Sequence, residues 1–155
     1  MIRKFAAIFL LVLWLGVIFS FSNASGETSG GMSEKLIKNV VSTFSNIDKD
    51  SESMQKIVKR YSFVVRKSAH FVEYFILGII VVNFFVSFNI NKRVLIYSSV
   101  FCILAAIFDE FHQTFVVSRN GNLVDVLLDS SASLMASYLV VRFYLFRGIY
   151  EKKYN

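Results

Sequence analysis

The chain has no proline and one cysteine, Cys102, which lies in the middle of an apolar run. A lone cysteine excludes a disulfide scaffold and any zinc site built from paired cysteines. Charge is scarce too: 18% of residues are charged, against 55% hydrophobic, with phenylalanine occurring 17 times. That balance excludes disorder, because disordered chains are poor in apolar and aromatic residues. It also leaves too little polar surface for a soluble domain. The length of 155 residues fits a single domain, residues 1–155. The net charge of +6, in a chain of mean hydropathy +0.54, suits an anionic membrane surface, and no nucleic-acid partner is expected. No internal repeat or low-complexity tract interrupts the chain.

Four stretches come close to the roughly 20 apolar residues a helix needs to cross a bilayer. They cover residues 5–21, 68–88, 94–117 and 123–146. Periodicity does not separate helix from strand in all-round apolar segments, but strands rarely run this long. The expected fold is all-α: a polytopic membrane protein with four transmembrane helices. The first stretch follows Arg3 and Lys4 and precedes the small residues Ser22, Asn23 and Ala24. It therefore resembles a secretory signal as well as an anchor, and its length favours a retained anchor.

Lysine and arginine in short loops set orientation. Arg3 and Lys4, the NINKR loop at 89–93, and Arg147, Lys152 and Lys153 fall on one side if all four stretches cross. That side is expected to be the cytoplasm, with both termini inside and residues 22–67 outside. The long loop begins with NASGETSGG (23–31), which reads as a flexible linker. One or two amphipathic helices should follow. Ser33 would cap a face of Leu36, Ile37, Val40, Val41 and Phe44, and Ser51 would cap a face of Met54, Ile57, Val58 and Tyr61. Lys35, Lys38, Lys56, Lys59 and Arg60 occupy the rest. Such helices either lie among lipid headgroups or pack as a lid over the spans.

Ionisable residues within spans are costly, at least about 2.5–3.5 kcal/mol for an Asp at a helix centre, and mark function by default. Here they are concentrated at the start of the second stretch, the end of the third and the start of the fourth, all at one depth. His70, Glu73 and Tyr74 stand at i, i+3, i+4; Asp109, His112 and Gln113 repeat that spacing; Asp125 and Asp129 form an i, i+4 pair. Glu110 lies about 100° off the Asp109 stripe and should face another neighbour. The five acids outweigh Lys67 and Arg119, leaving −3, or −2 with Arg66. Such a cluster needs compensation by protons or a cation. Glu73, Asp109 and Asp125 are expected to share one pocket, with His70 and His112 lining it and Arg119 at its rim. Cys102 reads as a small buried hydrophobe, and Ala132, Ser133 and Ala136 as a close helix contact.

At these residues the chain resembles the VanZ-like family of small bacterial membrane proteins. The resemblance rests on KSAHFVEYFILG (67–78) and on DEFHQTFVVSRNG (109–121) followed by Asp125 and Asp129. It covers most of the chain outside the long loop. The family often has Pro-Gly before the arginine, where this chain has Val117 and Ser118, and this chain has Ser131 and Ser133 where family glycines are common. The family's founding member is associated with low-level resistance to teicoplanin, a lipid-tailed glycopeptide. The resemblance thus implies a cell-envelope protein of the bacterial cytoplasmic membrane, but no reaction.

Two functions follow. In the first, Lys67, His70, Glu73, Tyr74, Asp109, Glu110, His112, Gln113, Arg119, Asp125 and Asp129 form an outward pocket for a lipid-linked cell-wall precursor, an anionic lipid or the lipoglycopeptide itself. In the second, His70, Glu73, Asp109 and His112 are the acid and base groups of a membrane enzyme, a hydrolase or transferase acting on an outer-leaflet headgroup. No nucleophile-elbow or HExxH motif supports that enzyme. A transporter is disfavoured, since the other halves of the second and third stretches carry no ionisable group. No cofactor and no metal ligand set is assigned; a divalent cation among the carboxylates and histidines is the alternative. The orientation has a direct check. Cysteine placed at Thr28 should react with an impermeant thiol reagent on intact cells, and cysteine at Asn91 should not; reversed labelling overturns it.

Overall fold

The computed structural model describes residues 1–45, 47–89 and 93–147. These form five helices: α1 (Ile2–Ser22), α2 (Gly26–Phe44), α3 (Glu52–Ser87), α4 (Val94–Gln113) and α5 (Leu123–Phe146). All but α2 are long and apolar enough to cross a membrane. Their outward surfaces stay apolar, with Phe5, Phe9, Leu104, Phe108, Leu127 and Leu139 exposed, as a hydrocarbon surround requires. The protein is a multi-pass membrane protein. Lys152, Lys153 and the centre of the NINKR loop lie outside the described residues.

The wall common to the bundle is α3, which touches every other helix. Residues 52–77 contain neither Gly nor Pro, so nothing interrupts the helix once Ser51 caps it by accepting a hydrogen bond from the Met54 amide. At 1.5 Å per residue its 36 residues run about 54 Å, well beyond a hydrocarbon core of about 30 Å. This corrects the expected 22–67 loop. The run from Met54 to Tyr61 is no separate headgroup helix but the projecting first half of α3, with Met54 fully buried.

The segment 23–31 is also not a linker. Ser25, rather than Ser33, caps α2, accepting from the Thr28 amide, while Ser33 lies inside the helix and donates to the Ser29 carbonyl. The cap and Glu27 in the first turn offset Gly30 and Gly31, which cost about 1 kcal/mol each in a helix. The expected apolar face splits. Ile37 is buried, whereas Leu36, Val40 and Phe44 are exposed, in line with Met32. Val40 and Phe44 continue this i, i+4 stripe outward, while Met32 and Leu36, half exposed, also border the space under α2 beside Ser33.

The tightest packing joins α3 to α5. A Cβ on Gly78 would collide with the Ser133 carbonyl oxygen and sit 3.0 Å from the Ala136 Cβ. Ala132, Ser133, Ala136 and Ser137 are fully buried, and the Ser137 hydroxyl donates to the Gly78 carbonyl. The close contact expected on the last span is therefore present, made by small residues that let the backbones approach. Towards the opposite end, Tyr144 Oη donates to Asn83 Oδ1. Cys102 is buried and free. α1 is held to α3 by the Trp14 indole, which donates to the Glu73 carbonyl at 3.0 Å.

The two kinds of glycine should respond oppositely. Gly78→Ala must separate α3 from α5 and should cost about 1–3 kcal/mol, as overpacking does. Gly31 has open space around it, so Gly31→Ala should gain up to about 1 kcal/mol. Melting of the detergent-purified variants reads both signs.

Candidate functional site: a polar pocket at one end of the bundle

α3 carries its ionisable residues near mid-helix, α4 near its C-terminus and α5 at its N-terminus. The bundle brings these three places to one end, joined by the short turn between α4 and α5. The expected third span, 94–117, ends as a helix at Gln113. Residues 114–116 continue in tight turns, each amide bonding three residues back. Ser118 then takes a positive φ of 59°, the left-handed region that favours glycine. The Gly26 amide donates to the Val117 carbonyl, seating the start of α2 on this turn.

Around His70 the structure gathers Glu73, Asp109, Asp129, Gln113 and Arg119. His70 Nδ1 lies 3.9 Å from Glu73 Oε2 and 4.0 Å from Asp129 Oδ2. His70, Asp109 and Asp129 each present one ligating atom, all within 4.8 Å of one another. Gln113 Nε2 donates to Asp109 Oδ2 at 3.0 Å. Asp129 is fully buried, and neither of its oxygens has a hydrogen-bond partner among the described residues. Arg119, half-buried, is close enough for its charge to act on Asp109, Glu110 and Glu73. Burial, and Arg66 beside it, pull its guanidinium below the ordinary value, and those acids oppose the shift.

Asp125 lies beside this group and pairs with Lys67, whose ammonium also sits 5.3 Å from the centre of the Phe63 ring. Asp125 is in the first turn of α5, where the helix dipole favours an anion, behind the Asn122 cap. Glu110 turns away from the histidine and accepts a hydrogen bond from the Asn122 amide at 2.8 Å, tying α4 to the start of α5. Gly121 makes room for this: a Cβ there would lie 2.5 Å from the Glu110 carbonyl oxygen.

His112 does not join His70. Its Nδ1 shares a 3.3 Å hydrogen bond with the Ser22 hydroxyl, and its ring packs on Phe19 with centroids 4.8 Å apart. Tyr74 is likewise directed elsewhere, fully buried with its hydroxyl donating to the Ala105 carbonyl. Both residues, with Asp109, line an apolar groove of about 720 Å³ between α1, α3 and α4, where Leu15, Phe101 and Phe108 form the walls. A second, smaller cavity of about 180 Å³ lies under α2. It is lined by Arg66, His70, Glu73 and Arg119 from one side and Ser29 and Ser33 from the other. Asp109 edges the groove and sits in the His70 group, so the two spaces flank one polar cluster.

Arg66 was absent from the expected pocket. The signal for it was available, since Arg66, His70 and Glu73 stand at i, i+4, i+7 on one helical face. Ser29 had no such signal, because its segment read as linker, and Ser33 read only as a helix cap.

The architecture and the site together define a small multi-pass membrane protein with a charged pocket at one end of a four-span bundle. The VanZ/LLP1 family profile matches residues 7–146, nearly the whole chain, and the chain belongs to that family. No curated protein and no solved structure gives a significant match.

Ser118 holds the left-handed conformation that glycine adopts most easily. A non-glycine residue in this conformation costs about 1–2 kcal/mol. Ser118→Gly should therefore raise stability by up to about 1 kcal/mol after the extra freedom of the unfolded chain is counted. A higher melting temperature is the expected reading.

Proposed function

We propose that this protein is a VanZ-type component of the bacterial cell envelope whose pocket engages the anionic group of a lipid-linked or lipid-tailed ligand, lowering susceptibility to glycopeptides such as teicoplanin. The observation that carries this reading is Arg119. Its Nη1 is buried without a hydrogen-bond partner among the described residues, and it lines the smaller cavity together with Arg66. A guanidinium with an unused donor beside a second guanidinium is a receptor for phosphate or carboxylate. The neighbouring apolar groove supports the lipid part of the proposal, because a chain lying in it would have its polar end at Asp109 and His112.

The pocket faces outward in this reading. Arg3, Lys4 and Arg93 lie at the opposite end of the bundle, and short-loop basic residues mark the cytoplasmic side. The protein then sits in the cytoplasmic membrane with both termini inside. The ligand is a cell-wall precursor, an anionic lipid or the lipoglycopeptide, met at the outer leaflet. An enzymatic reading keeps one specific support: His70, Glu73, Asp109 and Asp129 crowd one point beside the anion cavity, as acid and base groups of a headgroup hydrolase would.

Asp109→Asn removes charge and keeps shape and a hydrogen-bonding amide, and Arg119→Gln removes charge and leaves a shorter amide donor. Membrane hydrogen bonds contribute well under about 2 kcal/mol each and tolerate such exchanges, so both variants should reach normal membrane levels. Both should return teicoplanin susceptibility to that of a host lacking the gene, with a tail-less glycopeptide affected less. Full protection by both variants at normal levels would place the function at other residues.

A further inference from the structure

We infer that His70, Asp109 and Asp129 bind a divalent first-row transition cation, zinc or manganese, at the junction of α3, α4 and α5. The three side chains come from three different helices, and their nearest ligating atoms lie within 4.8 Å of one another. Clustered acids alone would not make a site. Here the deciding feature is Asp129, which is 0% exposed and has two oxygens without a hydrogen-bond partner among the described residues. A carboxylate sealed from water with no donor is strongly disfavoured unless a cation or proton compensates it. His70 Nδ1 is buried and unpartnered in the same way.

The spacing suits a shared ion better than direct bonds. His70 Nδ1 stands 4.0 Å from Asp129 Oδ2 and 3.9 Å from Glu73 Oε2, too far for hydrogen bonds. Two atoms each about 2.0–2.2 Å from one tetrahedral metal ion stand about 3.3–3.6 Å apart, so side-chain adjustments of about an ångström would bring these atoms into one coordination shell. Glu73 is thereby available as a fourth ligand. Two ligating carboxylates from Asp109 and Asp129 match a dipositive ion, and the imidazole selects a transition metal over calcium or magnesium. Gln113 supplies an outer contact, donating to Asp109 Oδ2 and fixing its rotation. The cavity lined by His70 and Glu73 provides the way in, and Arg66 and Arg119 on its wall would place an anion next to the ion. This departs from the unmetallated pocket expected of the sequence, because the sequence shows a surplus of acids but not which of them are left without donors.

The test uses the full chain purified in detergent, stripped with chelator and then reloaded with zinc or manganese. Elemental analysis should find about one chelator-sensitive ion per chain. The melting temperature should rise saturably with added ion, since the ion would join three helices. Asp129→Asn and His70→Gln should weaken binding at least tenfold, as loss of a ligand does. If these variants fail to fold, the wild-type measurements alone decide. No bound ion and no melting shift with either metal would overturn the site, as would undiminished binding by a folded Asp129→Asn variant. Metal content and melting are read on the protein by itself, so this result stands apart from glycopeptide susceptibility.

Discussion

The burial of charge at one end of a hydrocarbon-facing bundle governs the rest of this structure. Lys67 and Asp125 meet where α3 passes the first turn of α5. Breaking such a partly buried pair by removing one member costs about 3–5 kcal/mol, because the other is left uncompensated. The pair therefore sets the register of α3 against α5. Gly78, three helical turns further along α3, lies against Ser133, two turns along α5 from Asp125. Charge pairing at one end and small-residue packing in the middle fix the same alignment. Glu110 adds a second constraint by holding the Asn122 amide, which brings the end of α4 to the start of α5. With three helix segments pinned in this way, the remaining polar residues have one place to go.

The division of labour among the acids follows from the donors available. Glu110 is compensated by a backbone amide and Asp125 by an ammonium. Asp109 is oriented by Gln113, while Asp129 has no donor. This gradient separates the residues that hold the helices together from those gathered around His70. It also separates the two histidines. His112, bonded to Ser22 and stacked on Phe19, anchors α1 against α4, whereas His70 is left among carboxylates. α1 makes few other contacts with α4, and the gap between them is the apolar groove. The structure thus places an apolar groove and a smaller, more polar cavity on either side of the His70 cluster.

Much of this was legible in the residues. The last span matches α5 in full, and the first lies inside α1, because unbroken apolar length is a strong signal. The depth of the polar set was legible too, since three stretches carry their charges at corresponding ends. Side-chain partners were less so. The helical stripes put His112 beside Asp109, but one turn of helix spans 3.6 residues, and a difference of three positions is enough to turn His112 towards α1. The 23–31 segment misled for a compositional reason. Glycine and serine read as linker unless a cap is recognised, and the helix there depends on Ser25 and on packing against α3, which no local pattern displays.

The long first half of α3 bears on how the pocket meets its surroundings. A helix continuing straight from the span cannot lie flat among headgroups, so it carries Lys56, Lys59 and Arg60 away from the hydrocarbon. α2, packed alongside, instead exposes Val40 and Phe44, with Met32 and Leu36 half exposed at the edge of the cavity beneath it. An exposed apolar stripe flanked by lysines is the pattern of a helix at a lipid interface. The inner face of the same helix contributes Ser29 and Ser33 to the smaller cavity. α2 is therefore both roof and contact surface: one side closes the space that Arg66 and Arg119 line, and the other is suited to lipid. The apolar groove between α1 and α4 is open without α2, whereas the smaller cavity lies beneath α2.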